Sequence, residues 1–187
     1  MNLFLTLLGG LVLLIDSKKK KKTKKENDKE EIDMKRIKEQ NIIDVLKSKI
    51  AENMNNGLYM KSLKKLKNAT FFVSPNGRGV MVKQLGDYVL EWEHFEKIVT
   101  KANELGGKMY RGDELVQVGS NKLGEEISYD CMEGFIASEL LYIEEGMSIT
   151  RRSTYYSGIL AWAGIVTIHK SEGKGSFITV NPEYRKI

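Results

Sequence analysis

The sequence predicts an α+β fold, because helical and strand patterns occur in blocks rather than in regular alternation. Apolar residues recur at helical spacing before residue 55 and again over residues 92–105. Short β-branched and aromatic runs flank a Pro-Asn-Gly turn at residues 75–77. Two more helical patterns and a two-stranded pattern occupy residues 128–180. These changes of pattern divide the chain into segments 1–16, 17–31, 32–67, 68–127 and 128–187.

Positive charge is concentrated in the N-terminal third of the chain. The 187 residues carry a formal net charge of +5, and residues 18–67 contain 17 Lys and Arg against 8 Asp and Glu. Residues 68–187 contain 13 Lys and Arg against 16 Asp and Glu. The total charge favours an acidic partner such as nucleic acid or an anionic membrane, but most of the predicted folded part is slightly acidic.

The first segment, residues 1–16, is predicted to be a membrane anchor. Residues 1–15 are apolar except for Asn2 and Thr6, and lysines follow Asp16 and Ser17. A bilayer core needs roughly 17 to 25 apolar residues, so the span is short. Basic residues after an apolar segment favour the cytoplasmic side, which predicts an N-out, C-in anchor and a cytoplasmic domain. The alternative is an N-terminal apolar helix in a soluble core.

Residues 17–31 form a basic, low-complexity linker without aromatic residues, which is typical of a solvated segment. Its lysines could attract anionic lipid, attract nucleic-acid phosphate, or serve only as a soluble spacer. The lysines concerned are Lys18, Lys19, Lys20, Lys21, Lys22, Lys24 and Lys25.

Residues 32–67 are predicted to form amphipathic helices. The apolar stripe consists of Ile32, Ile37, Ile42, Val45, Leu46, Ile50 and Met54. An Asn-Asn-Gly turn at residues 55–57 ends this helix, and a second short segment with a basic face follows. Such a stripe predicts packing against the protein's own core, with self-association into a homo-oligomer as the alternative.

Residues 68–127 are predicted to contain a β-hairpin, a helix and an irregular connector. Strands are expected at residues 69–73 and 80–85, followed by a short strand at residues 88–92. A helix over residues 92–105 ends at the glycine pair 106–107. The connector 108–127 contains one strand candidate, around Val116, and its Arg-Gly-Asp tripeptide is too common to carry meaning alone.

Residues 128–187 are predicted to contain two helices and a hairpin. Asp130 and Glu133 suggest a capping box for a helix over residues 131–143, which ends at the Glu-Glu-Gly turn 144–146. The second helix is expected to open on Arg151 and Arg152, capped by Ser148 or Thr150, and to reach residue 163. Strands at residues 167–170 and 176–180 complete the segment.

This order of helix, tight turn, helix and hairpin resembles the C-terminal part of a winged helix-turn-helix domain. The resemblance implies that the second helix is a recognition helix and that the hairpin is a wing. It further implies non-enzymatic binding of double-stranded DNA, because arginine at a helix N-terminus can contact guanine or phosphate. The expected contact residues are Arg151, Arg152, Thr154 and Tyr156 on the helix and Lys174 in the wing.

A protein-interaction or scaffold module is the alternative function. A strip of small residues, Thr154, Ser157, Gly158 and Ala161, lies along one side of the second helix and could receive a partner. In this alternative the two arginines could simply pair with Glu144 and Glu145.

No catalytic signature is present in the sequence. His94 and His169 are far apart and Cys131 is the only cysteine, so neither a zinc site nor a disulfide framework is predicted. Asp87, Glu91 and Glu93 could serve a metal-dependent nuclease, but carboxylates are too plentiful for this to be specific. The chain is therefore predicted not to be an enzyme and to have no metal or cofactor.

Overall fold

A computed structural model describes residues 41–54, 59–60, 69–114, 121–170 and 175–185. This part of the chain is a mixed α/β structure with four helices and two small antiparallel sheets, which agrees with the predicted α+β class. The predicted anchor, the basic linker and Lys174 lie outside the described residues. No helix within the ranges given above is long and apolar enough to cross a bilayer.

The first sheet is an antiparallel meander. Its strands are β1 (Tyr59–Met60), β2 (Ala69–Val73), β3 (Gly79–Val82) and β4 (Val89–Glu91), in the order β1-β2-β3-β4. The turn between β2 and β3 is closed by Asn76, whose Oδ1 accepts from the amide of Arg78, and by Gly77 at φ 69°. The predicted hairpin is therefore confirmed. Strand β3 is shorter than predicted because Lys83–Leu85 form a 3-10 turn.

Two helices pack together beside this sheet. Helix α1 (Ile42–Asn53) begins at Asn41, whose side chain accepts from the amide of Ile43. Helix α2 (Trp92–Glu104) ends at two glycines with positive φ, as predicted. The described part of the predicted stripe on α1 is buried except at its end, where Met54 is exposed.

The second sheet joins the connector to the C-terminal hairpin. Strand β5 (Lys108–Tyr110) pairs with β7 (Phe177–Val180), and β7 pairs with β6 (Val166–His169), giving the order β5-β7-β6. The sequence predicts the hairpin, but it predicts an irregular connector where β5 lies. Three residues are too short for a periodic signal, and only pairing with β7 fixes them as a strand. The strand predicted around Val116 lies outside the described residues.

The two helices between β5 and β6 differ from prediction. Helix α3 (Met132–Phe135) continues as a π-helical turn, Ile136–Leu140, and ends before the predicted residue 143. Helix α4 (Ser153–Trp162) starts later than predicted, so the connection is twelve residues long rather than a tight turn. This connection pairs with the segment before α3, where the amide of Ile149 donates to the carbonyl of Asn121. That pairing uses residues 147–149 and pushes the helix start beyond the predicted caps.

Tyr156 of α4 lies at the centre of the main hydrophobic core. Its side chain is fully buried, its ring packs edge-on against Phe95 at 4.9 Å, and its hydroxyl is hydrogen-bonded to His94 Nδ1 at 2.9 Å. Burial raises the pKa of Tyr156 and lowers the pKa of His94. The hydrogen bond therefore joins two neutral side chains and ties α2 to α4 through the core.

We predict that acid weakens the fold through His94. The pKa of His94 is lowered in the folded protein, so below its ordinary value of 6.5 the unfolded chain binds the proton more readily. The contribution of His94 to the free energy of unfolding should therefore be fully present above about pH 6.5. It should be lost as the pH decreases towards the pKa of His94 in the folded protein. The urea midpoint at pH 7.5 and at pH 5.5 measures this loss. His94→Gln, which can still accept from Tyr156, should reduce the difference, and an unchanged difference would contradict the assignment.

Candidate functional site

A cluster of polar side chains surrounds the N-terminal end of α4. It combines residues from the segment after β5, from α3, from the start of α4 and from the residue before β7. We call it the polar cluster, and its members are Arg111, Asp113, Glu133, Arg151, Arg152, Ser153, Thr154 and Ser176.

Glu133 of α3 caps the N-terminus of α4. Its carboxylate accepts from the amides of Arg152 and Ser153 at 2.9–3.0 Å and from the Ser153 hydroxyl at 2.7 Å. Burial raises the pKa of Glu133, while the hydrogen bonds from Ser153 and Arg152 act in the opposite direction. The predicted caps Ser148 and Thr150 are wrong. A carboxylate from another helix satisfies the free amides that a neighbouring Ser or Thr would otherwise satisfy.

Arg111 is the buried centre of the polar cluster. Its Nη1 donates to the Ser176 hydroxyl at 3.0 Å, and its Nη2 donates to the Thr154 hydroxyl at 3.0 Å. Its guanidinium also forms an ion pair with Asp113 at 3.2 Å. Burial lowers the pKa of Arg111 and Asp113 raises it, and the side chain stays protonated at neutral pH. This guanidinium links the connector, α4 and the hairpin.

Asp113 lies between two arginines. Its Oδ2 is 3.2 Å from Arg111 Nη2 and 3.5 Å from Arg151 Nη2, while its Oδ1 accepts from the Ser176 hydroxyl at 2.6 Å. Gly112, at φ 70°, permits this arrangement, because a Cβ there would lie 2.5 Å from the Cys131 sulfur. The Arg-Gly-Asp tripeptide, to which the sequence alone assigns no role, therefore supplies both charges of the buried pair.

Arg151 and Arg152 lie at the surface end of the polar cluster. Arg151 Nε donates to the Thr154 hydroxyl at 2.9 Å, and its side chain is 32% exposed. The Arg152 guanidinium lies 4.4 Å from the ring centroid of Tyr88. The acidic partner of Arg151 is Asp113, so the alternative pairing with the glutamates at 144 and 145 is wrong. Glu145 is hydrogen-bonded to Tyr129 instead.

Two expectations for α4 require correction. Tyr156 is fully buried, so it cannot contact a partner bound at the surface of the folded protein. The strip of small residues is not a free docking face either, because Ser157 and Gly158 are buried and Trp162 packs edge-on against Phe71 at 5.1 Å. Every residue of α4 is buried or half-buried. Small residues here let the helix approach its own fold, which sequence periodicity cannot distinguish from an open surface.

Glu91, Glu93 and His94 are the one group in the described ranges whose ligand atoms could meet at a metal ion, all within 4.8 Å. Each already has a partner: Glu91 faces Arg78 at 4.0 Å, Glu93 faces Lys97 at 3.4 Å, and His94 is bonded to Tyr156. Asp87, the third carboxylate of the nuclease hypothesis, is exposed in the turn before β4. These contacts explain the arrangement as surface ion pairs and a core hydrogen bond.

The sequence did not reveal four members of the polar cluster: Arg111, Asp113, Glu133 and Ser176. Apart from the neighbouring pair Arg111 and Asp113, the partners are many residues apart in the chain, since Arg111 and Ser176 are separated by 65 positions. Glu133 does carry a local signal, but the signal points to the cap of its own helix, which Cys131 occupies instead. Only the folded topology brings these side chains together.

Comparisons with protein-family models, with curated proteins and with solved structures gave no match. The geometry of the polar cluster is therefore the basis for assigning a function.

We predict that Glu133→Ala destabilises the protein by about 2–4 kcal/mol. The substitution leaves two amides and a hydroxyl at the start of α4 without their acceptor. Urea denaturation of both proteins measures the loss. Glu139→Ala provides the matched control, because Glu139 is exposed on the π-helical turn and should change stability by less than about 0.5 kcal/mol. Equal stability of Glu133→Ala and wild type would contradict the capping role.

Proposed function

We propose that residues 92–185 form a winged helix-turn-helix module and that the protein binds double-stranded DNA without catalysing a reaction. The order α2, β5, α3, α4, β6, β7 supports this proposal, because it places two consecutive helices between a single strand and a hairpin. The pairing of β5 with the hairpin supports it further. The long connection between α3 and α4 departs from a tight helix-turn-helix.

The pair Arg151 and Arg152 carries the functional part of the proposal. Both lie at the N-terminal end of α4. Within the described part of the chain, Arg151 Nη1 and Arg152 Nη2 have no hydrogen-bond partner, and neither has the buried Arg152 Nε. The hydrogen bond from Arg151 Nε to the Thr154 hydroxyl fixes the Arg151 side chain, which reduces the entropy lost on binding. Two neighbouring, partly fixed guanidinium groups can contact phosphates of the DNA backbone.

Contact through the end of α4 implies that the protein binds the phosphate backbone of DNA and does not recognise its bases. The middle of the helix is covered by its own fold, so it cannot lie deep in a major groove as a reading helix does. Phosphate contacts fix position and contribute affinity but carry no direct sequence information. We therefore propose binding with little sequence preference, in which Thr154 and the wing residue Lys174 assist the arginines.

The polar cluster supplies little net charge. It contains three arginines and two carboxylates, and Asp113 lies against two of the arginines. In the proposal, long-range attraction to DNA therefore comes from the N-terminal lysines at positions 18–25. The module fixes the position of the DNA and the lysines raise the rate of encounter.

The double variant Arg151→Ala, Arg152→Ala should weaken binding to a duplex of mixed sequence by at least about tenfold at 0.1 M salt. The slope of log affinity against log salt concentration should also become less negative by about two, because two phosphate contacts are lost. Fluorescence anisotropy measures both quantities. Lys97→Ala, Lys101→Ala is the control, because it removes two positive charges from α2. Equal losses in the two double variants would contradict a localised site.

The Asp113→Asn variant should change duplex affinity in the opposite direction at the same site. It removes the negative charge beside Arg111 and Arg151 while keeping an oxygen to accept from Ser176. Duplex affinity should increase by a few-fold, about the effect of one more available phosphate contact. Weaker binding by a folded Asp113→Asn protein would count against the arginines as contacts.

We further propose that residues 1–16 anchor the chain to a membrane with the module on the cytoplasmic side. The support is the apolar run followed at once by lysines, which can also attract anionic lipid. Deleting residues 1–16 should move the protein from the membrane fraction to the soluble fraction in cell fractionation. Replacing the lysines 18–22 by glutamine leaves the apolar run intact and should leave the protein membrane-bound. A full-length chain that is already wholly soluble would contradict the anchor.

A further inference from the structure

The outer face of the second sheet is aromatic and basic. Alternate residues of its three strands point towards the core, and the remaining residues point outward. The inward residues are Met109, Val166, Ile168, Ile178 and Val180, all of which belong to the main core or pack against it. The outward residues are Lys108, Tyr110, Thr167, His169, Phe177 and Thr179. The three rings are half-buried, and one side of Tyr110 packs against a second, smaller hydrophobic cluster that contains Leu123 and Ile127.

Three rings and one ammonium group form a continuous row across this face. Phe177 is central: it pairs across the strands with Tyr110 on one side and with His169 on the other. The His169 ring is stacked on Phe177 at 4.9 Å and 15°, and the Tyr110 ring lies at 5.7 Å. The Lys108 ammonium lies 4.2 Å from the Phe177 centroid. We call these four residues the aromatic platform.

The platform is positively charged, whereas the domain around it is slightly acidic. None of the three strands contains an Asp or Glu, and Glu114 lies beside them, near Gly175 just before β7. Lys108, Lys170 and Arg185 are exposed on or beside the sheet, and Arg185 lies close to Gly107 at the start of β5. An occupant of this face should therefore be planar enough to stack on rings and negatively charged enough to pair with ammonium or guanidinium groups.

We propose that the aromatic platform binds unpaired nucleotides of a single-stranded nucleic acid. A base stacks on the rings, which accept every base because each has a π-face. Lys108, which now covers Phe177 and Tyr110, moves from the rings to a backbone phosphate. The hydroxyl of Thr179 is hydrogen-bonded to His169 Nε2 at 2.9 Å, which fixes the orientation of that ring. This site does not depend on the contacts proposed for Arg151 and Arg152.

The platform ends where the polar cluster begins, at the end of β5 and the start of β7. Tyr110 precedes Arg111, and Ser176 precedes Phe177, so the two sites use opposite faces of the sheet. Substitutions can therefore remove one site without touching the side chains of the other. Single-strand binding and duplex binding should respond to different variants.

Binding of a fluorescent ten-nucleotide oligothymidylate to the full chain tests the proposal. Phe177→Leu keeps an apolar side chain but removes the central ring, and it should weaken binding by roughly 5- to 100-fold. Lys108→Gln should weaken it by several-fold and make the salt dependence shallower by about 0.7, as expected for one lost phosphate contact on a single strand. Tyr142→Leu and Lys83→Gln are the matched controls, because they remove an exposed ring and an exposed charge elsewhere.

The double variant at Arg151 and Arg152 distinguishes the two proposals. Its affinity for oligothymidylate should equal that of the wild-type protein, even if its affinity for duplex DNA is lost. If that variant keeps duplex affinity while Phe177→Leu loses the single strand, only the duplex proposal fails. If Phe177→Leu binds the single strand as tightly as the Tyr142→Leu control, the platform is overturned.

Photo-crosslinking gives a readout that does not depend on a variant folding. An oligonucleotide containing 5-iodouridine should crosslink to Tyr110, His169 or Phe177 of the wild-type chain, as mapped by mass spectrometry. Crosslinks confined to other parts of the chain, such as the N-terminal lysines, would overturn the assignment. Wild-type crosslinks decide the question if Phe177→Leu does not fold.

Discussion

The cap that Glu133 places on α4 is the contact on which the rest of the C-terminal half depends. A ten-residue helix with no polar cap of its own still begins at a defined residue, because a buried carboxylate from α3 accepts its first amides. This contact sets the position of Arg151 and Arg152 and directs Tyr156 towards His94. The longer connection between α3 and α4 is tolerated because the cap, rather than the turn, fixes the helix.

Charge burial explains why the polar cluster is so densely bonded. A guanidinium and two carboxylates removed from water are costly unless each finds charged or hydrogen-bonding partners, and removing one partner from a buried pair costs roughly 3–5 kcal/mol. Arg111 meets this condition through Asp113, Ser176 and Thr154. These partners come from three separate stretches of the chain, so the network selects one arrangement of connector, helix and hairpin. Hydrophobic packing alone would specify the arrangement of these elements less strictly than this polar network does.

The sequence predicted those features that local chemistry determines. The turn at Asn76 and Gly77, the stripe of α1, the extent of α2 and the C-terminal hairpin all follow from periodicity, caps and turn residues. The start of α4 and strand β5 did not, because each is fixed by a distant partner. The same distinction applies to the site. The sequence places Arg151 at the N-terminal end of a helix, whereas Arg111 and Glu133 join the cluster through partners 19 to 65 residues away, with only Asp113 close to Arg111 in the chain.

The distribution of charge constrains how such a chain could hold a nucleic acid. A cluster in which acids offset most of the arginine charge creates a weak field but a rigid one, and rigid donors discriminate geometry better than they attract from a distance. The lysines at positions 18–25 carry a larger net positive charge, so their field is stronger. In the proposed function, attraction and positioning therefore come from different segments of the chain. High salt should suppress the first far more than the second, because screening acts on exposed charges and much less on partly buried ones.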